Sequence, residues 1–316
     1  MRAFALGEFG DPTMGTVQHL PLPAPGEGQV RVRVAAAGVN PADASAVAGY
    51  YKDFMPTTFP LVPGWDLAGT VDALGSGVDG LIVGEAVYGQ IGRWNVGEGT
   101  YAEFALASAG SLARQPDHID TPFAAALPQV GTAALQLIEA VAPKAGDVVV
   151  VIGATGGVGS VLLQLLRAAG AHTIAVTKAA NHEYARELGA VETIDYVDLD
   201  VAKAVAAGHP EGIAALVDLA GDKILNASLA ALVRSGGVVA SMGATTEVDA
   251  LASRGVTVAS LTAQVTTDRL NQISSLVASG TIRRPEITLL PLEQAGEALV
   301  RVGSHHVRGK LVVGVR

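Results

Sequence analysis

The chain has 316 residues, which is enough for about two domains. It is 49% hydrophobic and 16% charged, which excludes a disordered chain. Its net charge of −9, with no run of Lys or Arg, argues against nucleic acid or an anionic membrane as the main partner. It lacks cysteine, a signal-peptide pattern and an uninterrupted apolar run of about 18 residues, so we expect a cytoplasmic protein without disulfides or cysteine-ligated zinc.

Both ends of the chain read as strands. "QVRVRVAAAGV" from Gln29 alternates polar and apolar residues, and "LAGTVDALG" and "YAEFALAS" are similar. These segments predict a small, mostly antiparallel β domain. The last stretch, from about Arg284, predicts a strand, a helix and the closing strand "GKLVVGVR". We expect that stretch to return to the first domain and make it discontinuous.

From about Thr121 the pattern changes to alternating helices and strands. "TPFAAALPQVGTAALQLIEAV" has helical spacing, with Thr121 as N-cap and Pro122 as first helical residue. The predicted strands that follow are "DVVVVIG", "HTIAVT", "ETIDY", "IAALVDLAG" and "GVVASMG". The predicted helices between them are "GSVLLQLLRAAG", "NHEYARELG", an Ala-rich segment from about Leu199 and "ILNASLAALVRSG". This alternation predicts a parallel sheet with helices on both faces.

A glycine-rich turn joins the first of these strands to its helix. In "ATGGVG", Ala154, Gly156 and Gly159 occupy the three positions of a dinucleotide fingerprint. The amides of residues 155–159 would then face a pyrophosphate at the helix N-terminus. A P-loop is excluded because Ser160 and Val161 follow Gly159 where lysine and Ser or Thr are required. A doubly wound fold with an empty turn is the open alternative.

The end of the second strand favours NADP(H) over NAD(H). No carboxylate lies between His172 and His182, and Thr177 and Lys178 stand where an NAD-specific acid is usual. A hydroxyl and an ammonium suit a 2′-phosphate. The alternative for Lys178 is an ordinary solvated lysine. Tyr196 lies either against the adenosine or packed on the surface.

Histidines and one tryptophan give no defensible site. His305 and His306 are expected in solvent near a helix end, and His19, His118 and His209 are expected to be isolated. Trp94 lies either on a loop over the active site or on an ordinary surface loop.

In order and spacing, several segments resemble the zinc-free quinone oxidoreductase (zeta-crystallin-like) branch of the medium-chain dehydrogenase/reductase superfamily. They are "AAAGVNPADASAVAGYY", "PLVPGWDLAGTVDALGSGV", "GTAALQLI", "VIGATGGVGSVLLQLLRAAGA", "ELGAVETIDY" and "GKLVV". The similarity covers nearly the whole chain. It implies an α/β fold: a Rossmann doubly wound parallel sheet plus a discontinuous GroES-like β-rich catalytic domain, with the active site in the cleft. The implied domains are 1–121 with 264–316 (GroES-like) and 122–263 (Rossmann).

The resemblance also implies NADPH as cofactor and assigns residues to it. Asn40 would lie near the nicotinamide, and Thr132 would begin the linking helix. The full implied set is Asn40, Thr132, Thr155, Gly156, Gly157, Val158, Thr177, Lys178, Tyr196, Gly221, Ser241, Met242, Gly243, Ala244, Arg308 and Lys310.

Two departures bear on the chemistry. Zinc members of the superfamily carry Cys at the position of Asn40 and a His-Glu pair at Trp65 and Asp66, so we expect no metal. The branch usually has a tyrosine where Ser45 stands. Tyr50 and Tyr51 follow one or two helical turns later and could fill that space.

Without zinc to polarise an alcohol, we expect hydride transfer from NADPH to a quinone or an α,β-unsaturated carbonyl. Asn40 would orient the reactants, and Ser45 or Tyr50 would donate a hydrogen bond, although water could supply the proton. Alternatively, Asn40 is only a turn residue before Pro41, and Ser45 and Tyr50 have no role. Two other functions stay open: an enoyl-thioester reductase, and an NADPH-binding sensor or structural protein with negligible turnover. We expect a homodimer paired through the edge strand "GVTVASL".

Overall fold

The computed structural model describes residues 1–92, 95–243 and 248–315. The chain forms two compact units. The first contains Met1–Gln129, Val265–Ala278 and Glu286–Arg316, and the second contains Val130–Gln264 and Ser279–Pro285. The domain limits at residues 121 and 264 stay a prediction.

Strands dominate the N-terminal segment, whereas strands and helices alternate in the rest of the chain. The N-terminal segment contains β1 (Arg2–Ala5), β2 (Thr16–His19), β3 (Gln29–Val39), α1 (Pro41–Val47), β4 (Thr57–Val62), β5 (Asp66–Leu74), β6 (Ala86–Gln90), β7 (Val96–Glu98), β8 (Phe104–Ser108), β9 (Leu112–Arg114) and α2 (Thr121–Ala126). The middle segment contains α3 (Pro128–Val141), β10 (Val148–Ile152), α4 (Gly157–Ala168), β11 (His172–Val176), α5 (His182–Leu188), β12 (Glu192–Ile194), α6 (Val201–Gly208), β13 (Ile213–Asp218), α7 (Lys223–Ala230), β14 (Val233–Met242), α8 (Val248–Ser253) and β15 (Thr257–Leu261). The C-terminal segment contains α9 (Thr267–Ala278), β16 (Ile287–Pro291), α10 (Ala295–Gly303) and β17 (Lys310–Gly314).

The first unit is built around a mostly antiparallel sheet in the order β16-β17-β3-β5-β6-β9, with β8 also paired to β3. In β3, Val30, Val32 and Val34 point into the core because side chains alternate along a strand. Strand β17 pairs antiparallel with β3, and Leu311 lies opposite Val39. The expectation that the closing strand returns to the first domain is therefore confirmed.

The second unit contains a parallel sheet in the order β12-β11-β10-β13-β14-β15. Relative to chain order this is 3-2-1-4-5-6, the Rossmann arrangement, whose direction reverses between β10 and β13. In β10, Val149, Val150 and Val151 are fully buried, as expected for a strand covered on both faces. The predicted doubly wound α/β fold is confirmed. Within the described ranges, no helix is long and apolar enough to cross a bilayer.

Three predicted helical features are wrong in detail. The N-cap of α2 is Asp120, not Thr121, because the Asp120 carboxylate accepts the Phe123 N–H at 2.8 Å. The single helix expected from Thr121 is two, α2 and α3, and α3 begins at Pro128, which has no N–H to donate within a continuous helix. Helix α7 ends at Ala230, and Val233 already pairs with Ile213 in the sheet.

Helix α9 was not predicted. It buries Leu270, Ile273 and Val277, whose spacing of three and four residues is helical. Most of its other side chains are polar, which makes the segment resemble a loop in sequence.

Candidate functional site

The glycine turn adopts the strand–turn–helix geometry of an anion site. Strand β10 ends at Ile152, Gly153 has a φ of +73°, and Gly156 caps α4. Ser160 N–H donates to Gly156 O at 2.8 Å, so the preceding amides of Gly157, Val158 and Gly159 have no acceptor within the helix. Free amides at a helix N-terminus are suited to a pyrophosphate.

Gly159 is required where α4 crosses the strand end. A Cβ at this position would lie 2.4 Å from the carbonyl oxygen of Ala154 and 2.5 Å from its carbonyl carbon. Both atoms belong to the backbone and cannot move aside as a side chain can. The third fingerprint glycine therefore permits close packing of helix against strand, and this packing holds the amides in place.

Two hydroxyl groups connect the glycine turn to the next strand. Thr155 Oγ1 and Thr177 Oγ1 are 2.8 Å apart, and Asn181 Nδ2 donates to Thr155 Oγ1 at 3.4 Å. Both threonines are buried. The carboxyl ends of β10 and β11 are thus joined by side chains at the edge of the sheet where such folds bind dinucleotides.

Thr132, in the first turns of α3, is buried, and its hydroxyl has no hydrogen-bond partner among the described residues. Buried hydroxyls are nearly always hydrogen-bonded. The Thr132 hydroxyl is therefore available to a bound group, as the resemblance expects of this residue.

An exposed cation follows β11, and a buried acid follows the neighbouring strand β12. Lys178 is exposed, and Tyr196 is 41% exposed. The Asp195 carboxylate accepts the Ala179 and Val197 N–H groups, each at 2.9 Å. Hydrogen bonds from the Val197 and Ala179 amides lower the pKa of Asp195, which therefore anchors the loop as an anion. Sequence reasoning missed this residue because it follows the third strand, not the second.

The ends of β13 and β14 carry the remaining predicted cofactor residues of this unit. Asp218 accepts the N–H groups of Ala220 and Gly221 at 2.9 Å each and the Asn226 amide at 2.9 Å, which shapes the turn at Gly221. Ser241 Oγ donates to Gly243 O at 3.0 Å. Met242 ends β14. Ala244 lies outside the described residues, as does Trp94.

The first unit contains a buried polar cluster around Asn40. Asn40 Nδ2 donates to Asp66 Oδ2 at 2.9 Å, and the Lys310 ammonium donates to Asn40 Oδ1. Lys310 Nζ lies 3.9 Å from Asp66 Oδ2. The three side chains are buried: the relative exposure is 1% for Asn40, 0% for Asp66 and 3% for Lys310. The structure thus brings together two predicted site residues, Asn40 and Lys310, that are 270 positions apart.

A second carboxylate, Asp43, extends this cluster. It accepts the backbone N–H of Asn40 at 2.7 Å and the Tyr101 hydroxyl at 3.1 Å. Its other oxygen, Oδ1, is buried with no partner in the part of the chain that the structure describes. The capping-box spacing of Asn40 and Asp43 in "NPAD" was a signal in the sequence for this contact.

Burial determines the protonation of this cluster. Desolvation, followed by the charge of Asp66, raises the pKa of Asp43 to about 7. Desolvation also raises the pKa of Asp66, but Lys310, Asn40 and backbone and side-chain amides oppose that effect. Desolvation lowers the pKa of Lys310, and the two carboxylates oppose it. Since Asp66 is the better compensated acid, the geometry favours a proton on Asp43.

The predicted donors Ser45 and Tyr50 do not join this cluster through any hydrogen bond in the described structure. Ser45 Oγ donates to Pro41 O at 3.1 Å along α1. Tyr50 is 70% exposed and packs edge-to-face on Tyr51, with ring centroids 5.1 Å apart. Tyr51 in turn lies 5.8 Å from the Trp65 ring.

The two remaining predictions concern charged side chains. Arg308 forms an ion pair with Glu286 at 2.6 Å. The expectation that His209 is isolated is wrong: its Nε2 lies 3.0 Å from Glu192 Oε1, which also contacts His172. These residues are far apart in sequence, so no local motif marked them.

Two family models match the chain. Residues 26–117 match the alcohol dehydrogenase GroES-like domain, and residues 188–313 match the zinc-binding dehydrogenase family. A probable acrylyl-CoA reductase of Escherichia coli (strain K12) is 32% identical over 257 residues, covering 77% of this chain and 74% of that protein. The chain belongs to the medium-chain dehydrogenase/reductase family. Within this family, the chain belongs to the quinone oxidoreductase branch.

Other relatives in the family are similar to this chain. A chloroplast envelope quinone oxidoreductase homolog of Arabidopsis thaliana is 36% identical over 166 residues, which is 50% of this chain and only 49% of that protein. An NADPH-dependent alkenal/one oxidoreductase of the same plant is 28% identical over 287 residues, covering 87% of this chain and 69% of the relative.

Solved structures of the family superpose over the full chain. A quinone oxidoreductase from Coxiella burnetii has a TM-score of 0.89 at 28% identity, covering 100% of this chain and 99% of the other. A mycobacterial protein solved in complex with NADPH has a TM-score of 0.87 at 28% identity, with 100% of both chains covered.

The donor set does not fit the catalytic zinc that the second family description implies. Asn40 and Trp65 stand where the resemblance places zinc ligands, and neither offers the thiolate or imidazole that zinc prefers. Asp66 is already bound by Asn40 and lies beside the Lys310 ammonium. By contrast, the glycine turn and the orphaned Thr132 hydroxyl fit a nicotinamide dinucleotide.

Proposed function

We propose that this protein is an NADPH-dependent reductase that transfers hydride, without zinc, to a quinone or an α,β-unsaturated carbonyl. The observation that carries the proposal is the amide-lined glycine turn joined through Thr155 and Thr177 to a loop that presents Lys178. The quinone and alkenal/one oxidoreductases among the relatives support the acceptor class. The NADPH-bound mycobacterial structure supports the cofactor.

In this proposal the second unit holds the cofactor. The amides of Gly157, Val158 and Gly159 bind the pyrophosphate, and Lys178 and Thr177 bind the 2′-phosphate. Two backbone amides hold the Asp195 carboxylate in place, but it remains an anion whose charge acts on Lys178, so Lys178 has to offset that charge in this arrangement. Tyr196 provides an exposed aromatic face for the adenosine. Gly221, Ser241, Met242, Gly243 and Ala244 retain their proposed place on the nicotinamide side.

The bound cofactor supplies a hydride, and the acceptor's conjugation stabilises the negative charge that develops on its oxygen. The chain's own residues orient the acceptor and donate to that oxygen. Asn40 is held rigidly by Asp66 and Lys310, which suits an orienting role. The Tyr50 hydroxyl is exposed, whereas the Ser45 proton is already donated to Pro41 O. We therefore favour Tyr50 or water as the proton source.

Cofactor choice tests the proposal most directly. We would measure the dissociation constants of NADPH and NADH for the full chain by calorimetry. A charge-assisted hydrogen bond contributes about 1.5–3 kcal/mol, so NADPH should bind at least about tenfold more tightly. Lys178→Ala should remove most of that difference by weakening NADPH alone. Equal binding of the two cofactors by the unaltered chain would overturn the NADPH assignment.

Lys144→Ala is the matched control. Lys144 is an exposed lysine of the same unit that precedes β10, at the sheet edge opposite the glycine turn. Its replacement should leave both dissociation constants unchanged. If Lys144→Ala lowers NADPH affinity as much as Lys178→Ala, then general electrostatic attraction accounts for the preference.

Turnover separates the proposed reductase from the alternatives. NADPH oxidation is measured with 1,4-benzoquinone, with a simple enone and with crotonyl-CoA. The acrylyl-CoA reductase relative favours a thioester as the second candidate substrate class. Faster turnover of crotonyl-CoA than of the quinone and the enone would select that candidate. Cofactor binding without turnover of any acceptor would select the sensor.

We propose further that the protein is a cytoplasmic homodimer paired through β15. This strand is the last in its sheet, and two of its residues, Thr257 and Ser260, are exposed. An exposed edge strand can pair with a second copy through main-chain hydrogen bonds. Light scattering coupled to size-exclusion chromatography should give twice the chain mass of 32.0 kDa. A monomeric mass would overturn the dimer.

A further inference from the structure

Three metal-ligating side chains converge at the amino ends of β11 and β12. His172 is the first residue of β11, Glu192 is the first residue of β12, and His209 is the C-cap of α6. All three belong to the second unit. None has a part in the proposed reductase.

The ligating atoms already lie close together. His172 Nε2 is 2.5 Å from Glu192 Oε1, and His209 Nε2 is 3.0 Å from the same oxygen. One ligand atom from each residue can be chosen so that all lie within 4.8 Å of one another. The two imidazole rings have centroids 5.4 Å apart.

Sheet register and helix termination produce this arrangement. Glu192 pairs with Ile174, two residues after His172, so the side chains of His172 and Glu192 extend from the same face. His209 is fixed by its own backbone, since its N–H donates to Val205 O at 2.8 Å and its carbonyl accepts the Gly212 N–H at 3.0 Å.

The chemistry of the three residues suits a zinc-type ion. Two neutral imidazoles and a carboxylate are a common ligand set for Zn²⁺. With metal–ligand bonds of about 2.0–2.2 Å, tetrahedral ligand atoms stand roughly 3.3 Å apart. Inserting an ion would therefore lengthen the 2.5 Å distance between His172 and Glu192 by less than about 1 Å and bring the two imidazole nitrogens, which lie within 4.8 Å of one another, closer together. Glu192 is 42% exposed and His172 is 34% exposed, which leaves water access to a fourth position.

We propose that His172, Glu192 and His209 form a binding site for a divalent ion of the zinc class, a structural clamp that ties edge strand β12 to β11 and to the end of α6. Such an ion would stabilise the edge of the sheet, because β12 has only three residues with which to pair with β11. The site lies at the edge of the sheet opposite the glycine turn, since His172 and Val176 are the first and last residues of β11, about 13 Å apart. The ion therefore takes no part in hydride transfer.

The test uses the full chain without an affinity tag, because a polyhistidine tag would itself bind the probe. Zn²⁺ is titrated by calorimetry, and Co²⁺ by its visible absorption, which reports coordination directly. The variants are His209→Ala and Glu192→Gln. His118→Ala is the matched control, since it removes an exposed histidine of the first unit. Circular dichroism checks that each variant is folded.

We expect one Zn²⁺ per chain and an intense, tetrahedral-type Co²⁺ spectrum. Even outer-shell changes weaken metal binding about 10–100-fold, so loss of a direct ligand should weaken it at least about tenfold, whereas His118→Ala should bind normally. Zn²⁺ should raise the melting temperature of the unaltered chain but not of His209→Ala, and NADPH turnover should be equal in both. Absent saturable binding, or equally tight binding by the folded His209→Ala and Glu192→Gln variants, would overturn the proposal and leave the reductase untouched.

Discussion

Thr155 Oγ1 and Thr177 Oγ1 share a 2.8 Å hydrogen bond that joins the glycine turn to the end of β11. This contact matters because two neighbouring strands of the sheet must stay in register for the amides and Lys178 to meet one ligand. It is also isolated from solvent, since Thr155 is 5% exposed and Thr177 is 4% exposed.

Replacing Thr177 with Val removes this bond while keeping the side-chain shape. We expect the free energy of unfolding to fall by about 1 kcal/mol, the usual net value of one hydrogen bond. Urea unfolding measures the change. Thr173→Val is the control in the same strand, because the buried Thr173 hydroxyl has no partner among the described residues. That variant should be neutral or more stable, and an equal loss in both would refute this account.

Gly159→Ala tests the close approach of α4 to its strand. A methyl group would collide with the Ala154 backbone at 2.4 Å, so we expect a loss of about 1–3 kcal/mol in unfolding free energy. NADPH affinity should also fall, because the displaced helix carries the amides of the turn. Gly208→Ala is the counterpart at the end of α6, where no described atom beyond its own helix lies within 4 Å of the place that a methyl group would take. There the change should stabilise the protein by about 0.4–1 kcal/mol.

Lys310→Met tests the buried ion pair of the first unit. Removing the ammonium leaves the fully buried Asp66 carboxylate uncompensated, which should destabilise the protein by about 3–5 kcal/mol. Lys52→Met, at an exposed lysine of the same unit, should have little effect. Adding Asp66→Asn to Lys310→Met should recover part of the loss. A mild effect of Lys310→Met alone would contradict the pairing.

Asp43 makes stability depend on pH. Burial raises its pKa to about 7 from the ordinary value of 3.8, so between these values the folded state holds a proton that the unfolded chain has released. Stability therefore falls as pH rises through this window, by up to about 1.4 kcal/mol per unit for this group, and levels off above pH 7.

Comparison with Asp43→Asn isolates this contribution from other titrating groups. Melting temperatures of the two proteins are measured at intervals from about pH 4.5 to 8, which spans the Asp43 window. We expect the melting temperature of Asp43→Asn to increase relative to that of the unaltered chain as pH rises. A constant difference across the range would show that Asp43 is ionised in the folded state throughout.

Local patterns predicted much of the second unit. The apolar run before Gly153, the spacing of Ala154, Gly156 and Gly159, and the alternation of strands with helices were sufficient for the Rossmann sheet. These signals lie within a few residues of one another, and the physics of a phosphate-binding turn is equally local. The break at Pro128 was missed although its signal is local, since proline rarely continues a helix.

The polar cluster of the first unit could not be found in this way. Asn40 and Lys310 come into contact only because β17 pairs with β3. The local sequence of neither strand indicates which strand it pairs with. The burial of Asp43 depends on Tyr101, which reaches it from a different part of the chain. The His172, Glu192 and His209 group has the same character. Such contacts form only in the tertiary structure, so composition and periodicity do not predict them.

Strand β17 has a bearing on how the protein is made. It lies between β16 and β3, so an interior position of the first sheet is filled by residues that are synthesised long after β3. Until then Ala36–Val39 of β3 lack their partner strand, and Asn40 and Asp66 lack their ammonium. At about 5–20 residues per second, synthesis keeps the N-terminal half waiting for many seconds, while the second unit is already complete. Until β17 has been made, the nascent chain is therefore vulnerable to aggregation and proteolysis at this unpaired part of β3.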